Sequence, residues 1–428
     1  MESTLLSVII PTHNRCDILI RNLSAFSSQV EGSPRFEVLV IADACEDDTE
    51  EKVLKFAEEA PFTIRLLSHW ARNAATSRNL GAKHAEGRYL LFLDDDLCPQ
   101  PGLINAHLEA QHRDRVVLGY SKPVYPIPAS FWQINARLWW EDTYGQMRQP
   151  GHRFSYRDFF SGNVSLSAEL FQRIGGFDDR INMRLEDYEM GIRLLDAGVR
   201  FHFVSSALAY HFDETDLPLW LKRSFQEGIA DIQIVRSHPK LRVERFCRSD
   251  DEESWKEMRR ITYLSAIYGG WFTDKLASWL ESQARISETL KFRKLWPLLI
   301  GTLREYYYWR GVRSELGSGK EVKKWILDSP AALKATDSAP VIDLSAPINS
   351  QLMRYASVKA EQEGLKILWR GLELLEIPPE PGKEPLNEEH LQSLIQNKAL
   401  EVFLPALAID LIQSSHGEGL SWQTSLWN

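Results

Sequence analysis

The chain has 428 residues, of which 44% are hydrophobic and 25% charged, a composition ordinary for a soluble globular protein with two or three domains. Its net charge of -9 argues against a nucleic-acid-binding protein, which carries a basic domain. Four dispersed cysteines favour reduced thiols in a cytosolic protein over a zinc site or a disulfide framework. The amino-terminal stretch does not read as a signal peptide, and no apolar run approaches the ~18 residues of a membrane span.

The first 120 residues alternate between two kinds of pattern. Short apolar runs rich in β-branched residues predict strands, and amphipathic stretches between them predict helices. The strands are expected near 5–10, 36–43, 62–68, 89–94 and 115–120, and the helices near 16–29, 48–59, 74–86 and 101–112. This alternation predicts an α/β fold with a mixed, mainly parallel sheet flanked by helices. Ligands bind beyond the carboxyl ends of such strands.

Residues 121–157, rich in proline and aromatic side chains, predict a looser segment. Regular secondary structure is expected to resume with a strand near 160–167, helices near 168–174 and 185–197, a strand near 199–204 and a helix near 216–237. We therefore predict a catalytic domain over 1–240.

A second region, 241–320, is expected to be helical. Between 256 and 313 it holds eleven Lys and Arg against five Asp and Glu, a local net charge of +6. The run 291–313, basic at its start and aromatic at its end, fits either a packed helical subdomain or a helix lying on an anionic membrane. Residues 321–428 form a third region of unknown function, with helix-like stretches near 351–375 and 387–413.

Three aspartates, Asp94, Asp95 and Asp96, directly follow the fourth strand. Like charges this close repel by about 1 kcal/mol even in water, so a bound cation would stabilise them. In an extended chain Asp94 and Asp96 point to one side and Asp95 to the other. The oxygens on one face suit Mg²⁺ or Mn²⁺. An acidic loop that caps the following helix is the alternative.

Two further groups carry candidate chemistry. Glu186 and Asp187 lie at the predicted start of a helix, where acids either complement the helix dipole or hold a general base in the cleft. His211, between two aromatic residues, is either a structural histidine or a metal ligand.

Five blocks of sequence occur in an order that resembles family 2 glycosyltransferases of the GT-A fold. They are "SVIIPTHNR", "VIADACEDDT", "TSRNLGAKHAEGRYLLFLDDD", "FSGNVSLSAELFQRIGGFDDR" and "LEDYEMGIRLLDAG". The resemblance covers about residues 5–240. Residues 160–198 also resemble the carboxyl-terminal catalytic half of galactosyl- and N-acetylgalactosaminyltransferase-like enzymes.

The resemblance implies a role for each matching residue. Asp187 is the catalytic base and Glu186 its acceptor-side neighbour. Asp96 and His211 hold the metal, Mn²⁺ or Mg²⁺, and Asn163 faces the donor sugar or the acceptor. The residues implied in nucleotide binding are Pro11, Thr12, Asn14, Arg15, Asp43, Arg78, Asp94 and Asp95. Asp43 would contact the base, typically uracil, although Ala42 and Ala44 depart from the family pattern there.

The implied activity is that of an inverting hexosyltransferase, which moves a sugar from a nucleotide donor, a UDP-sugar, to a hydroxyl of a saccharide or lipid-linked saccharide. Trp140 either belongs to the core or stacks on the acceptor sugar. A nucleotidyltransferase is the first rival, but the loop after strand one lacks glycine. A non-catalytic sugar-binding protein is the second, but both acidic motifs are intact. The expected location is cytoplasmic, on the inner face of the plasma membrane if 291–313 binds lipid.

Overall fold

The computed structural model describes residues 4–112, 114–125, 129–181, 184–242, 253–327, 339–343, 345 and 364–398. Its centre is an eight-stranded sheet with the strand order β3-β2-β1-β4-β7-β6-β8-β5. The strands are β1 (Leu6–Thr12), β2 (Phe36–Asp43), β3 (Thr63–His69), β4 (Tyr89–Leu93), β5 (Leu97–Pro99), β6 (Arg115–Pro123), β7 (Asn163–Ser167) and β8 (Arg200–His211). Strands β1 to β4 are parallel, whereas β7 is antiparallel to both of its neighbours. The predicted α/β class with a mixed, mainly parallel sheet is confirmed.

Eight α-helices of the described residues lie around the sheet. They are α1 (Cys16–Ala25), α2 (Thr49–Glu59), α3 (Ala74–His84), α4 (Leu103–Ala110), α5 (Phe131–Met147), α6 (Ala168–Ile174), α7 (Glu186–Asp196) and α8 (Leu217–Ser237). The central strands are apolar on both faces, so successive residues enter different cores. In β1, Val8 and Ile10 pack in one cluster while Ile9 packs in the other. These two layers hold the carboxyl ends of β1, β2 and β4 at one edge.

Two sequence predictions are wrong in this part of the chain. The segment expected to be loose contains α5, a helix of 17 residues that begins at a capping box formed by Ser130 and Gln133. The strand expected near 199–204 continues to His211, because its second half pairs with both β5 and β6.

The next region is helical, as predicted. It contains α9 (Glu253–Tyr268), α10 (Trp271–Thr289), α11 (Leu295–Leu316) and α12 (Gly319–Leu327). Helix α11 crosses α8 at two glycines, since a Cβ on Gly311 would lie 1.9 Å from the backbone oxygen of Phe225, and one on Gly228 would lie 2.1 Å from that of Tyr308. Most of the run 291–313 is therefore part of a packed subdomain, with Ile300, Leu303 and other side chains buried. No helix among the described residues is long and apolar enough to cross a bilayer.

The described end of the chain contains a small sheet of β9 (Val341–Asp343), β10 (Leu365–Trp369) and β11 (Leu372–Ile377), followed by α13 (Glu388–Lys398). The helix predicted over 351–375 is wrong for its described part. Arg370 and Gly371 both adopt positive φ, which makes a two-residue hairpin turn between β10 and β11. The rest of that prediction and much of 387–413 lie outside the described residues.

This third region is joined to the sheet by hydrogen bonds. The backbone of Glu384 donates to the carbonyl of Phe154 at 2.8 Å, and its carboxylate accepts from the backbone of Phe201 at 2.7 Å. The domain limits at 240 and 320 stay a prediction, but the described parts pack against one another.

Candidate active site

The candidate site lies where β1, β2 and β4 end. The alternation predicted for the three aspartates is wrong, because they lie in a turn, closed by a hydrogen bond from the backbone of Leu97 to the carbonyl of Asp94, and not in an extended strand. Asp95 is nevertheless buried, whereas Asp94 and Asp96 are partly exposed. Asp95 accepts hydrogen bonds from the hydroxyl of Thr12 at 2.8 Å and from Arg15 at 2.7 Å. Burial raises the pKa of Asp95 to about 7, against the opposing effect of Arg15. Asp95 thus ties the end of β1 to the end of β4.

Arg78, on α3, joins the strand end to the acidic helix start. Its Nη2 donates to Asp94 and its Nη1 to Glu186, each at 2.8 Å, and its side chain is 6% exposed. Burial lowers the pKa of Arg78, but the two carboxylates outweigh it and the net shift is upward. This bridge brings residues 94 and 186, far apart in the sequence, to opposite sides of one guanidinium. Sequence reasoning identified Arg78 but not this link.

Asp187 is the second residue of α7, directly after Glu186. Its Oδ1 accepts a hydrogen bond from the backbone of Tyr188 at 2.8 Å. Burial and the neighbouring charge of Glu186 raise the pKa of Asp187 to about 7, although Arg184 and Arg78 oppose the shift. A carboxyl group with a pKa near neutrality is suited to accept a proton in catalysis.

His211 ends β8 next to Asp96. The imidazole Nε2 lies 3.7 Å from Asp96 Oδ1, and its Nδ1 is buried without a hydrogen-bond partner. Burial raises the pKa of Asp96, which His211 and Arg15 oppose. Among the described residues, no group of three His, Cys, Asp or Glu has metal-binding geometry. One carboxylate and one imidazole fit a divalent cation that takes its other ligands from water or a bound diphosphate.

Arg15 is shared between the two aspartates. Its Nη1 lies 2.7 Å from Asp95 and 3.0 Å from Asp96. Two further arginines, missed by the sequence reasoning, lie near this acidic cluster. Burial lowers the pKa of Arg223, and the charge of Arg184 lowers it further, while Asp213 and Asp96 oppose the shift. A cation that is buried and repelled in this way is suited to bind an anion.

The predicted contacts with the nucleotide base fall on a constrained loop. Asp43 is buried, and its carboxylate accepts from the backbone of Arg72 at 2.6 Å and of Asn73 at 2.7 Å. The side-chain oxygen of Asn14 accepts from the backbone of Glu46 at 2.7 Å, which holds the loops after β1 and β2 together. Pro11 lies within β1, paired with β2.

Strained backbone also borders the cleft. Four non-glycine residues with positive φ, between 51° and 67°, follow β1, β2 and β3 or precede α7: Asn14, Ala44, Arg72 and Leu185. Such a conformation costs about 1–2 kcal/mol for most L-residues, and strain of this kind clusters at functional sites.

Asn163 does not reach the cleft in this structure. Its Oδ1 is 2.9 Å from His107 Nε2, and its Nδ2 donates to the carbonyl of Ala207 at 3.0 Å. Burial lowers the pKa of His107 to about 4, so this histidine is neutral. The amide therefore joins β7 to α4 and β8. The neighbouring Gly162 is closer to the chemistry, because a Cβ there would lie 2.6 Å from Asp94 Oδ2.

The indole ring of Trp140 lies next to His211, the predicted metal ligand. Its ring packs edge-on against His211 at 5.8 Å between centroids and against Phe160 at 5.1 Å. Trp139 beside it is 51% exposed. The structure thus places Trp140 at the boundary between the core and the cleft.

Comparison with known proteins finds similarity to glycosyltransferases. The profile of glycosyl transferase family 2 matches residues 7–175, and that of the N-terminal domain of galactosyltransferase matches 143–215. A validoxylamine A glucosyltransferase from Streptomyces hygroscopicus is 27% identical over 56% of this chain and 63% of its own length. A UDP-Glc:alpha-D-GlcNAc-diphosphoundecaprenol beta-1,3-glucosyltransferase from Escherichia coli is 35% identical over 22% of this chain and 36% of its own length. The chain thus spans less than two thirds of these relatives.

Among solved structures, a mannosyltransferase from Pyrobaculum calidifontis in complex with GDP-Man and Mn²⁺ matches 74% of this chain and 88% of its own, at 16% identity and a TM-score of 0.49.

Proposed function

Because residues 7–175 match the profile of glycosyl transferase family 2, we propose that this chain is an inverting hexosyltransferase that transfers a sugar from a nucleoside-diphosphate donor to a hydroxyl group. The observation that carries this proposal is the Arg78 bridge. Arg78 joins Asp94, at the end of β4, to Glu186, the neighbour of Asp187, through two hydrogen bonds of 2.8 Å. This link supports the proposal that Asp94 binds the donor and Asp187 acts as the general base in one cleft.

Asp187 is the base in this proposal. An alcohol attacks an anomeric carbon poorly because its pKa lies far above 7. A carboxylate whose pKa is raised to about 7 accepts the hydroxyl proton more readily than an ordinary aspartate. Glu186 is held by Arg78 and orients this end of α7. A single base opposite the leaving group gives displacement with inversion, without a carboxylate nucleophile.

The leaving nucleoside diphosphate needs positive charge. We propose that Asp96 and His211 hold Mn²⁺ or Mg²⁺, which offsets the negative charge of the diphosphate. Arg223 and Arg184 supply further cationic groups on the same side. When a diphosphate enters, Arg15 can exchange part of its contact with Asp96 for a phosphate oxygen, since both are anionic acceptors.

The nucleoside is proposed to bind along the ends of β1, β2 and β4. Asp94 is exposed over 40% of its side chain, which leaves its Oδ2 open to a ribose hydroxyl while Oδ1 accepts from Arg78. Thr12, Asn14 and Asp95 shape the pocket, and Asp43 contacts the base. A UDP-sugar is the proposed donor. The proposed acceptor is a saccharide or a lipid-linked saccharide, with Trp140 along its apolar face.

The test is release of nucleoside diphosphate from a panel of UDP- and GDP-sugars with Mn²⁺, together with thermal shifts for each donor. We expect Asp187→Asn to lower turnover by at least ~100-fold while the donor still raises Tm. Asp196→Asn, at the other end of α7, is the matched control and should retain turnover. Near-normal transfer by Asp187→Asn would contradict the assignment of the base. Donor binding without turnover in the unmodified chain would indicate a binding protein. Release of pyrophosphate from a nucleoside triphosphate would indicate a nucleotidyltransferase.

A further inference from the structure

Helix α10 carries its large apolar side chains on the outside. Trp271 is 74% exposed, Phe272 73% and Trp279 56%. The residues of α10 that are buried are small: Ala277, Ala284 and Ser287. This is the reverse of an ordinary surface helix, whose large apolar residues face the core. Leu276 and Ile286 extend the same exposed face at helical spacing.

The apolar face continues into the turn between α10 and α11, where cations join it. Leu290, Phe292 and Leu295 are each more than 40% exposed. Lys291, Arg293, Lys294 and Lys275 are also exposed among them. We call this set of residues, from Trp271 to Leu295, the α10 surface.

The acidic residues of α10 contact neighbouring helices and not these cations. Asp274 accepts a hydrogen bond from the hydroxyl of Tyr306 at 2.8 Å, and Glu281 accepts from that of Tyr307. Glu288 accepts from the backbone of Trp132 at 3.3 Å. Asp274 also pairs with Arg310 of α11 at 3.1 Å. The three carboxylates keep their charge, but their contacts are with α11 and α5. The outer face is apolar and positively charged in a chain whose net charge is -9.

Helix α5 connects the α10 surface to the cleft. At its start Phe131 packs against Trp296 of α11, with ring centroids 5.9 Å apart. Nine residues later Trp140 contacts His211, a distance of roughly 14 Å along the helix axis. Between these points Ile134 is 47% exposed and Leu138 65% exposed. Helix α5 thus carries exposed apolar side chains between its contact with α11 and its contact with His211.

We propose that the α10 surface docks on an anionic lipid bilayer, with its aromatic side chains at the level of the headgroups. Tryptophan and phenylalanine beside lysine and arginine are the composition of interfacial segments, and the cations attract anionic lipid. A second copy fits less well, because a two-fold contact would set the same cations against each other. Docking does not depend on the proposed chemistry, but it places the cleft within reach of a lipid-linked acceptor. The membrane contact is therefore assigned to α10 and the turn that follows it, and not to the whole run 291–313, because the middle of that run is buried.

Flotation of the full chain with vesicles tests this docking. We expect binding to phosphatidylcholine vesicles that contain phosphatidylglycerol, much weaker binding to phosphatidylcholine alone, and loss of binding as salt is raised. Equal flotation with both vesicles, or none with either, would overturn the proposal. A dimer in light scattering that Trp271→Ser dissociates would show that the surface binds a second copy instead.

Two sets of variants separate the apolar and the charged contributions. Trp271→Ser with Trp279→Ser should lower the partition coefficient more than tenfold, whereas Trp70→Ser, equally exposed at the end of β3, should not change it. Reversal of Lys291, Arg293 and Lys294 to Glu should lower it by at least about fivefold per residue. The matched reversal of Lys320, Lys323 and Lys324 on α12 should have little effect. If both charge-reversal variants lost membrane binding equally, binding would depend only on the net charge of the chain, and the α10 surface would not be the docking site. Unchanged Tm values would show that all variants fold.

Discussion

Asp187 predicts an unusual pH dependence of transfer. An aspartate with the ordinary pKa of 3.8 stays ionised throughout the neutral range, whereas here burial and Glu186 raise the pKa to about 7. The base acts when ionised, so its active fraction should rise from about one tenth at pH 6 to about nine tenths at pH 8. We therefore expect kcat/KM for the acceptor, measured at saturating donor and cation, to rise about tenfold over these two pH units.

Two neighbours should move this profile in opposite directions. Glu186→Gln removes a negative charge that raises the pKa of Asp187, so the midpoint should move down by about 1–2 pH units. Arg184→Met removes a positive charge that lowers the same pKa, so the midpoint should move up. The assay is the initial rate of nucleoside diphosphate release between pH 5 and about pH 9, over a range in which Tm is constant.

The result that would refute this reasoning is a rate that stays flat from pH 6 to pH 8 in the unmodified protein. A shift to higher pH in Glu186→Gln would equally contradict it, since no loss of a negative charge raises a neighbouring carboxyl pKa. Donor binding, followed by thermal shift at each pH, separates a change in the base from a change in the donor site.

Three further predictions concern packing and charge. Gly311→Ala should lower the free energy of unfolding by about 1–3 kcal/mol, because its Cβ would overlap the backbone of α8. Gly301→Ala, in open space on the same helix, should raise the free energy of unfolding by about 0.5–1 kcal/mol. Chemical denaturation measures both changes, and equal effects of the two substitutions would contradict the close crossing of α8 and α11. Gly162→Ala should displace Asp94 and raise the KM for the donor, and an unchanged KM would exclude Asp94 from the donor site. Arg223→Met should raise the donor KM about tenfold because it removes a buried cation close to Asp96, and it should lower Tm only slightly because the hydrogen bond to Thr215 is lost with it; a lower Tm with unchanged KM would make Arg223 a structural residue.

Local patterns predicted most of the sheet and its helices. Strand β2 and helix α6 occupy the predicted residues, because continuous apolar runs and a serine cap are local signals. Helix α5 was missed because its aromatic residues lie on several sides, toward the cleft, the sheet and α11. The hairpin of β10 and β11 was taken for a helix because "LKILWRGLELLEI" supports both periods, and the positive φ of Arg370 decides between them.

The sequence by itself determined the fold class and the edge of the sheet where the candidate site lies, because alternating strand and helix patterns are properties of the local chain. The turn that holds Asp94, Asp95 and Asp96 was not predicted, since a local apolar pattern does not tell where a strand stops. Only the tertiary structure decided which charges meet. Arg78 joins Asp94 to Glu186, Arg223 lies near Asp96, and Asn163 is turned away from the cleft. The exposed face of α10 was also decided there, since an amphipathic pattern does not tell which of its sides will be covered. These features depend on contacts between residues distant in the sequence, and on burial, which sets the pKa of Asp187 and cannot be read from a local pattern.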